Sequence, residues 1–292
     1  MTYEPFQVIY STGKRHFPGL LQSLRSIRKS ATPFCLGNVK FTVFLSIDDY
    51  SVLARRLDDE LWDNIDLKTL DMRQIGSYRI HGSKMQFGLL DSPQNYVRFW
   101  LPSLLPNASL VLYLDADTIV RESICDIFHQ YGRKTAYFGV AARQRRWDCT
   151  VYRIPRAYAQ QWGRRPITFI SGVFLADLSF WRRYHIQERA FDLLFQNQRR
   201  PLWRIGSNPP LCILFANSFY PIDRRWHVFG LGNDRNISTE MLKNAYILHW
   251  NGKHKPWEQD GLWKSLWYQQ IWHEKQTLPD AEIRVLRDFG TS

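Results

Sequence analysis

Two aspartates one residue apart, Asp115 and Asp117, close the run Ser109 to Leu114 (SLVLYL), which is rich in Val, Leu and Tyr and reads as a buried strand. On an extended backbone residues i and i+2 point the same way, so both carboxylates project together from the strand end. Two such charges repel unless a cation lies between them, which makes the pair half of a divalent-metal site. Open α/β sheets bind ligands beyond the carboxyl ends of their strands, where this pair falls. The bland alternative is a solvated turn with two ordinary surface acids.

A second stretch supplies the rest of such a site. His249 to Trp257, HWNGKHKPW, follows an extended segment, Ala245 to Leu248, so His249 also lies at a sheet end. One imidazole with two carboxylates is a borderline-hard ligand set that suits manganese. Gly252 lets backbone amides approach a phosphate closely, and Lys255 supplies a compact positive charge. Pro256 and Trp257 stiffen and cover the loop.

The elements that must position these residues follow from periodicity. Phe6 to Tyr10, Phe41 to Ile47 and Leu67 to Leu70 read as strands, with helices over Leu20 to Ile27 and Val52 to Trp62. That alternation predicts a mostly parallel sheet covered by helices. The polar ends of the first two strands, Ser11-Thr12-Gly13 and Asp48-Asp49, are placed to meet a nucleotide. Residues 71–93 read as loop. Gln94 to Leu105 reads as a helix bearing Arg98, a cation suited to a metal–diphosphate site. Ile124 to Phe128 is a short helix, and Tyr137 to Ala141 and Phe169 to Asp177 are strands. Gly172 interrupts the latter, as glycine does where a ligand or another backbone comes close. Leu178 to Phe195 reads as one long helix, Pro209-Pro210 opens a shorter segment, Ser218 to Ile222 is extended, and Gly261 to Trp272 closes as a helix. Neither a repeat nor a convincing linker divides the chain.

The 292 residues are 45% hydrophobic and 23% charged, proportions of a soluble globular chain, and the 12 Trp and 14 Tyr suit stacking on sugars or bases. No apolar run of membrane-spanning length and no signal-peptide pattern occurs, so the chain is either cytoplasmic or a domain of a longer membrane-anchored one. Cys35, Cys125, Cys149 and Cys212 are far apart without a C-x-x-C, which argues against thiolate zinc and leaves the redox compartment open. The net charge of +12 favours anionic partners, and Arg143 to Arg165 alone holds seven arginines against one acid, Asp148.

The pieces YVRFWLP (Tyr96 to Pro102), VLYLDADTIV (Val111 to Val120), FISGVFLADL (Phe169 to Leu178) and HWNGKHKPW together resemble the family-8 glycosyltransferases, in that family's order and over most of the chain. LWRIGSNPP (Leu202 to Pro210) and PIDRRWHVFGLG (Pro221 to Gly232) look most like the eukaryotic Golgi branch, with its glycosyltransferase-8-domain proteins and plant galacturonosyltransferases. The resemblance implies an α/β GT-A fold: one Rossmann-like domain over 1–292, with a mostly parallel central sheet flanked by helices. Its nucleotide-binding half would be about 1–120 and its acceptor half about 121–292. It implies a UDP-sugar donor, Mn2+ or Mg2+, retaining transfer of a hexose or related sugar, and a glycan or glycoprotein acceptor, with the basic segment pointing to an acidic one. Asp115, Asp117 and His249 would hold the metal. Ser11, Thr12, Arg98, Ala116, Gly252 and Lys255 would contact the donor, alongside the two aspartates. Lys255 and the metal would offset charge on the departing UDP. Asn208 falls where relatives place a glutamine beside the reacting sugar; an amide is a poor nucleophile, so the expectation is same-side substitution assisted by the leaving phosphate. Asp177 is the fallback nucleophile, though its place at a strand end suits a structural role. Ile170 and Ser207-Asn208-Pro209 depart from the family's usual residues, on the acceptor and sugar side. The Golgi branch implies a lumenal place behind an anchor in a longer parent chain.

Three rival readings stand beside this one. LDADT fits the first motif of haloacid-dehalogenase phosphatases, with Asp115 as nucleophile, but no downstream magnesium carboxylate cluster follows and a long stretch precedes it. A basic, aromatic nucleic-acid binder is the second; no recognised RNA-binding signature occurs, and no nucleic-acid partner is expected. A catalytically silent relative that binds sugar-nucleotide or glycan is the third.

Overall fold

A computed structural model describes residues 5–58, 62, 64–75, 92–134, 138–143, 151–204 and 206–275. In chain order the main elements are β1 (Phe6–Ser11), α1 (Phe17–Ser30), α2 (Pro33–Gly37), β2 (Val39–Ser46), α3 (Ile47–Asp58), β3 (Ile65–Leu70), α4 (Met72–Ile75), α5 (Pro93–Leu104), β4 (Leu110–Leu114), β5 (Thr118–Val120), α6 (Ile124–Tyr131) and β6 (Phe138–Arg143). There follow α7 (Ala159–Trp162), β7 (Thr168–Asp177), α8 (Leu178–Arg183), α9 (Ile186–Arg199), α10 (Asn208–Phe215), β8 (Tyr220–Ile222), β9 (Val228–Phe229), α11 (Thr239–Lys243), β10 (Ile247–His249) and α12 (Lys264–Lys275).

Seven strands form one sheet in the order β3-β2-β1-β4-β7-β6-β8. The expected parallel core is present: β1 pairs in parallel with β2 and β4, β2 with β3, and β6 with β8, while β7 runs antiparallel to both its neighbours. Side-chain alternation along β1 explains the layering. Val8 and Tyr10 face a cluster with α1 residues Phe17, Leu20 and Leu24, whereas Ile9 faces the opposite cluster with Val97 and Leu101 of α5 and Trp181 of α8. Both faces are therefore covered, as a largely parallel sheet requires.

A second sheet, β5-β10-β9, has three short strands and its own apolar cluster of Ile119, Leu248, Trp250 and Trp267. The sequence reading contained β10 but not β5 or this sheet. The helix expected over 178–195 is divided: α8 ends at Arg183, and His185 adopts a left-handed conformation (φ 52°) before α9 begins. Asp48 and Asp49 lie in the first turn of α3, where carboxylates complement the helix dipole, and not in a free strand end. Cys35 and Cys125 form a disulfide joining α2 to α6, and no described cysteine is free. No helix among the described residues is long and apolar enough to cross a membrane. Of residues 71–93, expected as loop, Met72–Ile75 form α4 and 76–91 lie outside the described residues, as do residues 144–150 of the basic segment.

Candidate active site

Strand β4 delivers Asp115 beside β7, where its N–H donates to the Gly172 carbonyl at 2.8 Å. The chain then turns sharply. Thr118 Oγ1 closes the turn by donating to the Asp115 carbonyl (2.9 Å) and is itself held by Ser23 of α1 (3.0 Å). Strand β5 starts at once and pairs antiparallel with β10, setting His249 opposite Thr118. The Asp117 carbonyl accepts from the Trp250 N–H at 3.0 Å. Backbone pairing between segments remote in sequence thus carries the imidazole to the two carboxylates.

His249 Nε2 is 3.1 Å from Asp117 Oδ1 and 3.6 Å from Asp115 Oδ2, and one ligand atom from each of the three residues lies within 4.8 Å of the others. Asp117 and His249 are buried; Asp115 keeps about a quarter of its side chain exposed, so the cluster opens on one side. Two carboxylates and an imidazole converging on a partly open point fit a divalent cation with positions left for other ligands. Gly172 makes the space: a Cβ there would collide with the His249 ring and stand 2.8 Å from Asp115 Oδ2. The close approach expected at this glycine is that of the site's own side chains.

Each carboxylate also has a cationic partner. Arg98 donates to Asp115 Oδ1 at 3.0 Å. Its other N–H groups reach the Ser171 carbonyl (2.7 Å) and hydroxyl (2.9 Å), the Asn95 carbonyl (2.9 Å) and Tyr113 (3.4 Å). A guanidinium so fully engaged clamps Asp115 in place. Lys255 is buried; its ammonium donates to Asp117 Oδ2 and to the Trp250 carbonyl. Burial pushes Asp115 above the usual carboxylate range, with Arg98 and His249 opposing it. For Asp117 the same burial is outweighed by Lys255 and His249, which hold it well below that range. The two acids are thus inequivalent, and Asp117 is the firmly ionised one.

The other expected residues fall around this centre. Ser11 ends β1, Thr12 follows it and both are buried; the Thr12 N–H is bound to the Phe44 carbonyl (3.0 Å), and Ser11 Oγ has no hydrogen-bond partner. Ala116 is buried between the aspartates. Gly252 has φ +116°, a conformation that favours glycine, and a Cβ there would strike Asn233. Asn208 is bound at both ends: its Oδ1 accepts from the Ser171 N–H (2.7 Å) and its Nδ2 donates to the Phe169 carbonyl (2.8 Å). It satisfies β7 where the register with β6 shifts, between Val140 and Ala142. Asp177 caps α8 by accepting from the Phe180 N–H at 2.8 Å, the structural role weighed for it.

Two neighbours were not singled out from sequence. His227 Nε2 meets His249 Nδ1 at 2.9 Å. His16 packs edge-on against Trp257 and, through burial first and the Lys255 charge second, is held at a pKa of about 4. The signal for His227 was its place in PIDRRWHVFGLG, but nothing local tied it to a strand end over a hundred residues from the aspartates.

An open, mostly parallel sheet with an acidic cluster at a strand's carboxyl end has its ligand site where α/β folds place one, and the fold is that of the GT-A glycosyltransferases. Two solved structures of LgtC superpose on it: an active-site mutant, at TM-score 0.66 and 19% identity over 94% of this chain and 98% of that one, and the galactosyltransferase with donor and acceptor sugar analogues, at 0.67 and 17% over 96% and 100%. At these identities the likeness speaks for the fold. The chain belongs to glycosyltransferase family 8, whose family model matches residues 7–261. It is 28% identical to probable galacturonosyltransferase 4 of Arabidopsis thaliana over 65% of this chain and 32% of that protein. It is also 28% identical to glycosyltransferase 8 domain-containing protein 1 of Xenopus laevis, over 95% of this chain and 79% of that one. The chain thus spans about a third of the plant galacturonosyltransferases it first matches.

Proposed function

We propose that this glycosyltransferase moves a hexose or related sugar from a UDP-sugar to a glycan or glycoprotein acceptor with retention, using Mn2+ or Mg2+ held by Asp115, Asp117 and His249. The observation that carries the reading is the convergence of those three ligand atoms within 4.8 Å, from two different sheets. When bound, the cation supplies charge to the departing diphosphate, the main demand of such a transfer. Lys255, already on Asp117, is positioned to share its ammonium with that diphosphate, and the Gly252 turn brings backbone close to it. Arg98 holds Asp115 in the orientation the site needs. Ser11, Thr12 and Ala116 line the nucleoside side, in the half of a single catalytic domain up to about residue 120. Asn208 is tied to β7 through both ends of its amide, which favours same-side substitution over attack by this residue.

The acceptor we propose is acidic. Arg153, Arg156, Arg199 and Arg200 surround a cavity of about 520 Å³ completed by Ile154, Pro155, Gln196 and Leu202. Four arginines around one concavity, with no carboxylate among its described lining residues, concentrate a positive field suited to carboxylates or sulfates on a glycan. Arg145 and Arg146, of the same basic segment, lie outside the described residues. The Cys35–Cys125 disulfide supports an oxidising compartment, in keeping with a Golgi-lumenal enzyme held by an anchor in a longer parent chain.

The test is UDP release from a panel of UDP-sugars, with manganese or with chelator. Metal-dependent turnover of one donor, abolished by Asp115→Ala and by Asp117→Ala, is expected. Full activity in both variants would sink the assignment. Metal-dependent UDP binding without turnover, even with acceptors present, would instead mark a silent relative.

A further inference from the structure

Two stretches of the chain fit the Asn-X-Ser pattern of an N-glycosylation acceptor, Asn107-Ala108-Ser109 and Asn236-Ile237-Ser238. The pattern is short enough to arise by chance, so the surroundings of each must decide. Leu105 to Ala108 is a tight turn between α5 and β4, closed by the Ala108 N–H on the Leu105 carbonyl (3.1 Å), with Pro106 second and Asn107 third. Asn107 and Ser109 are both exposed; Ala108 between them is partly covered and packs on the core.

The main chain of this segment is firmly held. Arg182 of α8 donates to the Leu105 carbonyl (3.3 Å) and to the Ala108 carbonyl (2.8 Å), and the Leu178 N–H donates to the Ser109 carbonyl (2.7 Å). Backbone oxygens thus tie the segment to α8, while the Asn and Ser side chains stay in solvent. A turn favours Pro106 and Asn107 on its own account. It does not call for the hydroxyl of Ser109, which lies beyond it.

Asn236 is exposed as well, but its loop supports the candidate active site. The Asn236 N–H is tied to the Asp234 carboxylate (2.8 Å), and the Asp234 carbonyl accepts from Trp263 Nε1 (2.7 Å). Asn233 of the same loop abuts the Gly252 turn, where a Cβ would strike it. A branched sugar on Asn236 would stand beside that turn. Asn107 lies at the opposite end of β4 from Asp115, separated by the five residues of that strand, about 17 Å at roughly 3.3 Å per residue.

We infer that Asn107 carries an N-linked glycan, at the end of the large sheet remote from the cation site. This rests on the lumenal reading above, which the Cys35–Cys125 disulfide supports. The sugar donor is a lipid-linked diphosphate oligosaccharide, used by a separate enzyme. Asn107 Nδ2 forms a bond to the anomeric carbon of the first sugar and gives up one proton. The bond from that carbon to the diphosphate oxygen breaks, and the lipid diphosphate leaves with the electron pair.

The test produces the whole chain behind a secretion signal in animal cells. The product is treated with a glycosidase that releases N-glycans and converts the bearing Asn to Asp, and peptide mass spectrometry reads position 107. Expected are Asp at 107 only after treatment, and a gel shift on treatment that Asn107→Gln removes and Asn236→Gln does not. Metal-dependent UDP release should show the same KM for the UDP-sugar before and after treatment. A bare Asn107 in secreted chain whose Cys35–Cys125 bond has formed overturns the inference and leaves the compartment and transferase readings standing. Cys35 and Cys125 found as thiols in the protein isolated from its own cells overturn the lumenal reading and this inference with it. A glycan whose removal changes the KM for the UDP-sugar overturns its placement away from the site.

Discussion

At the residue scale the centre depends as much on a missing side chain as on those present. Gly172→Ala drives a methyl group into the His249 ring and against Asp115. It should cost about 1–3 kcal/mol of stability, and the folded fraction should lose metal-dependent turnover. Thermal unfolding and UDP release on the same sample separate the two effects. The half-buried His16 and the buried His227 also set an acid limit. His16, at about 4, and His227, well below its ordinary 6.5, both have lowered values in the folded chain. The unfolded chain therefore binds more protons as pH falls below about 6.5, and stability declines with it. Asp117 adds its own loss once pH falls into the ordinary carboxylate range, where the unfolded chain takes up protons that the depressed folded group does not. Urea midpoints of the metal-free protein should start to fall near pH 6.5, and a profile flat to roughly pH 4.5 would contradict this. Asp115, Asp117 and His249 were legible because carboxylates i, i+2 at a strand end, and a histidine at another, are local patterns. The parts played by Arg98 and His227 were not, since both act through contacts with strands distant in sequence.

At the scale of elements, the strands of the large sheet were readable from apolar runs, whereas β5 was not. Three residues carry no period, and β5 is a strand only because β10 arrives to pair with it. The break at His185 was equally hidden, since apolar residues continue through it and only the backbone turn shows two helices. Asn208 illustrates how position in an element decides a role. Placed at the head of α10 against an irregular stretch of β7, it serves two backbone groups of that strand. Asn208→Ala leaves both without this partner and should cost about 1–3 kcal/mol, read as a lowered denaturant midpoint. Turnover per folded molecule should fall far less than in Asp115→Ala. A loss as complete as that of Asp115→Ala would return Asn208 to the reacting centre.

At the scale of the molecule, the disulfide and the arginine-lined cavity follow from how distant segments come together. Cys35 and Cys125 are 90 residues apart in sequence, so their bond removes much freedom from the unfolded chain. Cys35→Ser with Cys125→Ser should lower stability by about 2–5 kcal/mol, and thermal scans with and without reductant check it. The cavity brings 153–156 against 196–202. Arg153→Glu with Arg200→Glu should raise KM for an acidic acceptor and leave that for the UDP-sugar unchanged. Equal use of neutral oligosaccharides, with no effect of these changes, would refute an acidic acceptor.

The small sheet also orders events in time. Residues up to Ile222 complete the seven-stranded sheet, yet His249 and Lys255 join the aspartates only when β10 docks, and Lys255 is 138 positions from Asp117. Contacts of such long range form late, because loop closure must be met before they add stability. A chain ending before Ile247 is therefore expected to fold its large sheet with only a pair of carboxylates at the candidate cation site, and so to bind Mn2+ far more weakly than the whole chain in a titration followed by electron paramagnetic resonance.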